Sequence, residues 1–245
     1  MEYYDKEFCL EVWGPLACFT RPEFKVERVS YDVITPSAAR AIFESIFWKP
    51  AIEWQITKIK VINPIKWTNV KRNEVSATAK LDRYRYIPSQ KQIYINDNRD
   101  PRNTLLLKDV HYLIYAKLHF KPKWERKKSK NPLIDKEEED LLRRDENPGK
   151  YNAMFERRAK KGQCFNTPYF GCREFSAFWK YIDTEVDTLP APLSATKGGN
   201  RDFGLMFYDW SYTTPDNKAL FFNAIMRNGV IDNIPTKKQL MEEQL

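Results

Sequence analysis

Residues 35–62 read TPSAARAIFESIFWKPAIEWQITKIKVI, and the fold class turns on this stretch. Thr35 is a capping residue, and Pro36 suits the first helical position, where no backbone N–H is needed. Ala39, Ile42, Phe43, Ile46 and Phe47 then recur at helical spacing. Pro50 disfavours helix at Lys49, so the helix ends by Trp48. From residue 51 the period switches to two. Ile52, Trp54 and Ile56 alternate with Glu53, Gln55 and Thr57, which predicts a strand ended by Asn63-Pro64.

Working outward, Phe8, Leu10 and Val12 predict a strand over 7–13 that stops at Gly14-Pro15. Residues 16–34 are loop or short strands carrying Arg21, Lys25 and Arg28. The stretch from Lys66 to Arg85 is basic, and with Tyr84-Arg85-Tyr86, Ile93 and Ile95 it predicts a projecting hairpin over 66–95. Residues 104–120 are the longest strand candidate. Val110, Tyr112, Ile114, Ala116, Leu118 and Phe120 lie on one face, and His111, Leu113, Tyr115, Lys117 and His119 on the other. Residues 121–146 read as a solvated, charged insertion. The turn Asn147-Pro148-Gly149 opens a helix to Lys161 with a basic face of Arg157, Arg158, Lys160 and Lys161, stopped by Gly162. A strand is expected over 163–178 and on through Trp179 and Tyr181, short strands over 203–211 and 219–228, and a frayed tail from Lys237 to Leu245. The order predicts an α+β protein: an RRM/ferredoxin-like βαββαβ domain over 1–182, then a C-terminal antiparallel β-sheet extension over 183–245.

Composition narrows the function. Forty-one Lys and Arg against 33 Asp and Glu leave a formal charge of +8, which suits a nucleic-acid partner. Hydrophobic residues make up 42% of the 245 residues, enough for a core. There are only 8 glycines, with no G-x-G-x-x-G and no Walker loop, so dinucleotide and ATP readings fall away. Two histidines cannot build a multi-histidine metal site, and four cysteines without a C-x-x-C pair read as ordinary thiols. No cofactor is expected. No signal-peptide run and no long apolar stretch occurs, so the expectation is a cytoplasmic protein away from membranes.

Three groups of residues invite chemistry. Lys150 and Tyr151 open a helix, where outward N–H groups favour an anion. Phe47 and Trp48 end the first helix, either as core or as the aromatic edge of a site. His111 and His119 are eight residues apart on one strand, roughly 26 Å, too far to share a site. Aromatics interleaved with cations (Trp67, Lys71, Arg72, Tyr84, Arg85, Tyr86, Trp124) suit stacked RNA bases and tracked phosphates. The acidic run 137–140 lies in the insertion and offers no rigid two-metal site.

Longer stretches carry a resemblance: Val12–Glu23, Lys25–Val33, Pro36–Arg40, Trp48–Ile52, Lys71–Val75, Leu107–Val110, Gly149-Lys150, Phe155–Gln163 and Phe170–Phe175. Over about residues 8–210 the chain resembles the CRISPR-associated family-five proteins of subtype I-C, RAMP-type endoribonucleases and Cascade subunits. The resemblance implies an RRM-like domain followed by an antiparallel sheet. It implies recognition of the pre-crRNA repeat hairpin, cleavage at its 3′ base without metal, and retention of the crRNA 5′ handle in Cascade. Its partners would be the backbone and large subunits, with target DNA met indirectly. The family pattern has a tyrosine where this chain has Phe47, and a histidine after the lysine where it has Tyr151, while Lys150 is kept. Lys150 would then stabilise the charged phosphorane. Tyr151, a phenol that ordinarily titrates near ~10, or His119 or His111, would have to move protons. Arg21, Lys25, Arg28, Lys71, Arg72, Arg157, Arg158 and Lys161 are the expected RNA contacts. Three readings follow: a metal-independent endoribonuclease, a non-catalytic handle-binding scaffold, or a generic basic RRM-like binder of RNA or DNA.

Overall fold

One long strand, Arg99–Phe120, buried on both faces over residues 112–116, organises the computed structural model, which describes residues 6–24, 26–76, 94–121, 147–212 and 218–244. In chain order the elements are β1 (Glu7–Ala17), β2 (Arg28–Val29), α1 (Pro36–Ile46), β3 (Ile52–Val61), β4 (Lys66–Val75), β5 (Arg99–Phe120), α2 (Pro148–Lys160), β6 (Phe178–Ile182), β7 (Arg201–Trp210), β8 (Ala219–Met226), β9 (Val230–Ile231) and α3 (Lys237–Gln244). The main sheet runs β6-β1-β5-β3-β9, and β2 and β4 pair with the first half of β5. Its pairings are antiparallel except β2 with β5. β7 and β8 form a separate two-stranded antiparallel sheet. The fold is thus mixed α/β, with few helices against a mainly antiparallel sheet. Among the described residues no helix is long and apolar enough to cross a membrane.

The helix and strand in residues 35–62 form as their residues dictate. Thr35 caps α1 by accepting from the Ala38 N–H at 3.3 Å. Phe47 leaves helical geometry, and β3 starts at Ile52. The apolar face of α1 meets α2 over the sheet in a knot of rings. Phe155 of α2 lies 4.5 Å from Trp54, 4.8 Å from Phe8 and 5.6 Å from Phe43, measured between ring centres. Burying four rings supplies much of the force that fixes both helices. Met206, Tyr208, Phe222, Met226 and Leu240 of the C-terminal segment are buried in the same core.

β5 changes partner midway. Val61 is the last β3 residue paired to it, opposite Tyr112, and Lys66 is the first of β4, opposite Lys108. Between them Asp109 has φ 54°, and its carbonyl accepts from Asn63 Nδ2 at 2.9 Å. The positive φ bends the strand where a new neighbour takes over.

Several expectations need correcting. β1 does not stop at Gly14-Pro15 but runs to Ala17. β6 pairs only as far as Trp13, so past it no strand among the described residues takes an N–H from Pro15 on that side of β1. The return arm of the basic hairpin is Arg99–Lys108, not Ile93 and Ile95. Ile95–Asp97 is a 3-10 turn, and residues 77–93, with Tyr84-Arg85-Tyr86, lie outside the described residues. The arm was illegible because its polar run lacks apolar alternation. The insertion beyond Lys121, over 122–146, and Lys25 also lie outside the described residues.

Residues 163–177 form no strand. Only a bridge between Tyr169 and Ser176 is present, around a tight turn in which Phe170 N–H donates to Phe175 O at 2.8 Å. Gly171 there has φ +76°, and a Cβ would sit 2.0 Å from the Cys18 carbonyl oxygen. Gly171→Ala is therefore expected to cost about 2 kcal/mol or more. Gly162→Ala, at φ +65° with nothing within 4 Å, is expected to cost about 1 kcal/mol. Equal denaturant midpoints for the two variants would refute this account.

The tail is also not frayed. Thr236 N–H donates to Gln239 Oε1 at 2.8 Å and Gln239 N–H to Thr236 Oγ1 at 3.3 Å, a reciprocal cap that starts α3.

Candidate functional site

The ends of α1 and α2 meet where the sequence reading placed its chemistry. Asn147 caps α2: its Oδ1 accepts the Lys150 N–H at 2.8 Å. That N–H is therefore not open to an anion as the bare turn suggested, and what Lys150 offers is its exposed side chain. Tyr151 points the other way, into the protein, and is 5% exposed. Its ring stacks on Phe120 at 6.0 Å and tilts against Phe47 at 6.2 Å. Phe47 is 0% exposed, and its carbonyl accepts from Trp54 Nε1 at 2.9 Å.

Arg158 was expected as a plain RNA contact but also joins the helices. Its guanidinium lies 5.3 Å from the Phe47 ring centre, and Nη1 donates to Ile46 O at 3.4 Å. Arg158 is eight residues from Lys150, about 12 Å along the helix. Arg157 and Lys161 stand exposed beside it, while Lys160 is held by Glu156 at 2.7 Å. Lys150, Tyr151, Phe47, Arg157, Arg158 and Lys161 thus share one region.

The remaining cations are elsewhere. Lys71 is exposed on β4. Arg21 pairs with Asp32 at 3.3 Å and lies over the Tyr31 ring. Arg28 donates to Cys172 Sγ at 3.3 Å and pairs with Glu74 at 3.7 Å. Arg72 bonds Thr104, Glu74 and Glu174. Arg21 thus braces its own loop, while Arg28 and Arg72 tie the loop, the ribbon and the 170s turn together.

Neither histidine joins the site. His119 is exposed, and the pleat of β5 turns it away from the face carrying Phe120. His111 is hydrogen-bonded to Glu11 at 2.8 Å beside Trp13, far along the same strand. Among the described residues no three His, Cys, Asp or Glu side chains converge to hold a metal ion. Sequence reasoning missed two features, Phe120 as the floor under Tyr151 and Asn147 as the cap. An Asn before Pro at a helix start was a visible signal for the second.

A second feature adjoins this region. A cleft of ≈ 680 Å³ separates α1 from the 165–176 loop, lined by Glu44, Trp48, Phe165, Tyr169 and Arg173 among others.

Comparison with known proteins adds the following. The family model described as CRISPR-associated protein (Cas_Cas5) matches residues 8–234. The protein named CRISPR pre-crRNA endoribonuclease Cas5d from Mannheimia succiniciproducens is 43% identical over 231 residues, covering 92% of this chain and 94% of that protein. Its namesake from Thermus thermophilus is 35% identical over 247 residues, covering 94% and 91%. A crystal structure titled as that of a CRISPR-associated protein superposes with a TM-score of 0.62 at 24% identity, covering 96% and 94%, which speaks for the fold. With a family model spanning most of its length and two such relatives, this chain belongs to the CRISPR-associated Cas5 family, in its Cas5d branch.

Proposed function

We propose that the chain is a pre-crRNA endoribonuclease that binds the repeat hairpin, cuts at its 3′ base and keeps the 5′ handle as a Cascade subunit beside the backbone and large subunits. The observation that carries this reading is the exposed Lys150 on the first turn of α2, in a chain whose curated relatives bear that name. The strand order β6-β1-β5-β3, with α1 and α2 on one face, supports an RRM-like unit over 1–182, to which 183–245 adds the β-rich part.

The chemistry is transesterification. The ribose 2′-oxygen bonds to the adjacent phosphorus, the P–O5′ bond breaks, the 2′ proton leaves and the 5′-oxygen takes one up. Lys150 stabilises the added negative charge on the phosphorane. Phe47 has no transferable proton, and the Tyr151 phenol is buried, so Tyr151 serves the leaving oxygen only where RNA binding turns it outward, and the 2′-OH loses its proton to solvent. Such an enzyme has no imidazole at its site. Its rate should climb with pH through 6 to 8 rather than level off above the ordinary histidine value near ~6.5.

The test uses purified protein, EDTA and labelled repeat RNA. One cut at the hairpin base, with a 2′,3′-cyclic phosphate and a rate rising with pH, is expected. The burial of Tyr151 favours a second reading, a non-catalytic handle-binding scaffold, which predicts tight binding and no product.

A further inference from the structure

Three large rings stand in solvent around the cleft between α1 and the 165–176 loop: Phe165 at 81% exposure, Trp48 at 55% and Tyr169 at 41%. Exposed aromatics of this size forgo burial that the core offers, and three around one cleft call for a reason. Their backbones are held. The N–H groups of Phe165 and Asn166 both donate to Ser45 O, at 2.7 and 3.1 Å. Tyr169 is bridged to Ser176, and the Ala177 N–H donates to Pro168 O at 2.9 Å. Trp48 follows directly on the residue whose N–H closes α1 onto Phe43 O. The rings are thus displayed from fixed points.

The charge around them is positive. Arg173 lines the cleft, exposed, with no ion pair among the described residues. Arg157, Arg158 and Lys161 lead from α2 toward the same loop. The one carboxylate in the lining, Glu44, is matched by Arg40 at 2.7 Å; burial pushes its carboxyl above the usual range while Arg40 pulls the other way. Rings on a rigid rim with cations beside them are the surface on which single-stranded bases stack while phosphates are held. The cleft also abuts the candidate site, since Trp48 is the neighbour of Phe47.

We infer that Trp48, Phe165 and Tyr169 form a stacking platform for unpaired nucleotides flanking the RNA hairpin, with Arg173 on their phosphates. The inference rests on the RNA reading above and names the part of the substrate that this cleft takes. A paired stem, whose bases already stack on each other, gains nothing from it, so the platform discriminates flanked from flankless hairpins.

The experiment measures binding of 2′-fluoro repeat hairpins, which cannot be cut, with and without a single-stranded flank. Wild-type protein is expected to favour the flanked RNA. Trp48→Ala and Phe165→Ala should each weaken that complex about ten-fold or more, leave the blunt hairpin unchanged, and not alter the salt slope. Phe165→Tyr should restore binding, whereas Arg173→Gln should lower the slope by about one phosphate. The three rings are exposed, and unchanged melting curves verify that the variants fold. Equal wild-type affinity for both RNAs, or equal losses on both, overturns the platform whether or not the protein cleaves. Preserved flank preference without any cleaved product would sink the endoribonuclease reading and leave the platform standing.

Discussion

Lys150→Ala should slow single-turnover cleavage of the repeat hairpin by about 10²–10³-fold, the usual loss on removing one donor aimed at developing transition-state charge. Binding should change far less, because Arg157, Arg158 and Lys161, the other cations proposed to meet RNA on this helix, remain in place. Position supports the asymmetry. The Lys150 backbone N–H is already bonded to Asn147 at 2.8 Å, so after truncation the helix end offers no ready substitute at that residue. The ring knot around Phe155 anchors α2, so losing one exposed side chain should leave the fold intact. Lys150→Arg keeps the charge but not the point-like geometry, and should recover part of the rate. Cleavage by Lys150→Ala at the wild-type rate would remove this residue from the reaction.

The place of Lys150 on the first turn of α2 was legible because a local signal, a turn into a helix, marked it. The same holds for α1 and β3: a Thr-Pro start, helical spacing, a proline and then alternation all lie within residues 35–62. What stayed hidden depends on distant partners. Nothing near Arg72 shows that Glu174, 102 positions away, will take its guanidinium, nor near Arg28 that Cys172, 144 away, will. A list of cations chosen by sequence position and charge therefore mixed fold-holding arginines with exposed ones. Exposed aromatics misled in the opposite direction. Phe165 and Tyr169 suggested a strand over 163–178, because sequence patterning assigns large rings to an interior, and these two are displayed outward. The helix from Lys237 was missed although Thr236 and Gln239 carry the spacing of a reciprocal cap; its surrounding charges obscured the buried Leu240.

Trp54→Ala should be the most damaging core substitution, costing about 3–5 kcal/mol. For a chain of this size that lowers the melting temperature by about 10 °C. Trp54 is packed against three rings, Phe155 at 4.5 Å, Phe43 at 5.0 Å and Phe8 at 5.9 Å, which belong to α2, α1 and β1. It also donates to the Phe47 carbonyl at the end of α1. Truncation opens a cavity where α1, α2, β1 and β3 converge, and leaves a buried acceptor without its donor. Trp54→Phe keeps one six-membered ring in the knot while removing the N–H and the rest of the indole, so it should cost about 1–3 kcal/mol. Equal destabilisation by both variants would mean that what the phenyl ring cannot replace, the N–H and the outer part of the indole, fixes the junction. Because Phe47 sits against both Tyr151 and Arg158, Trp54→Phe also probes how the core governs the site. If the α1 end is held from below by that donor, cleavage by the still-folded variant should fall more than its affinity for RNA. A variant that loses stability but cleaves at the full rate would show that Lys150 acts independently of the position of α1.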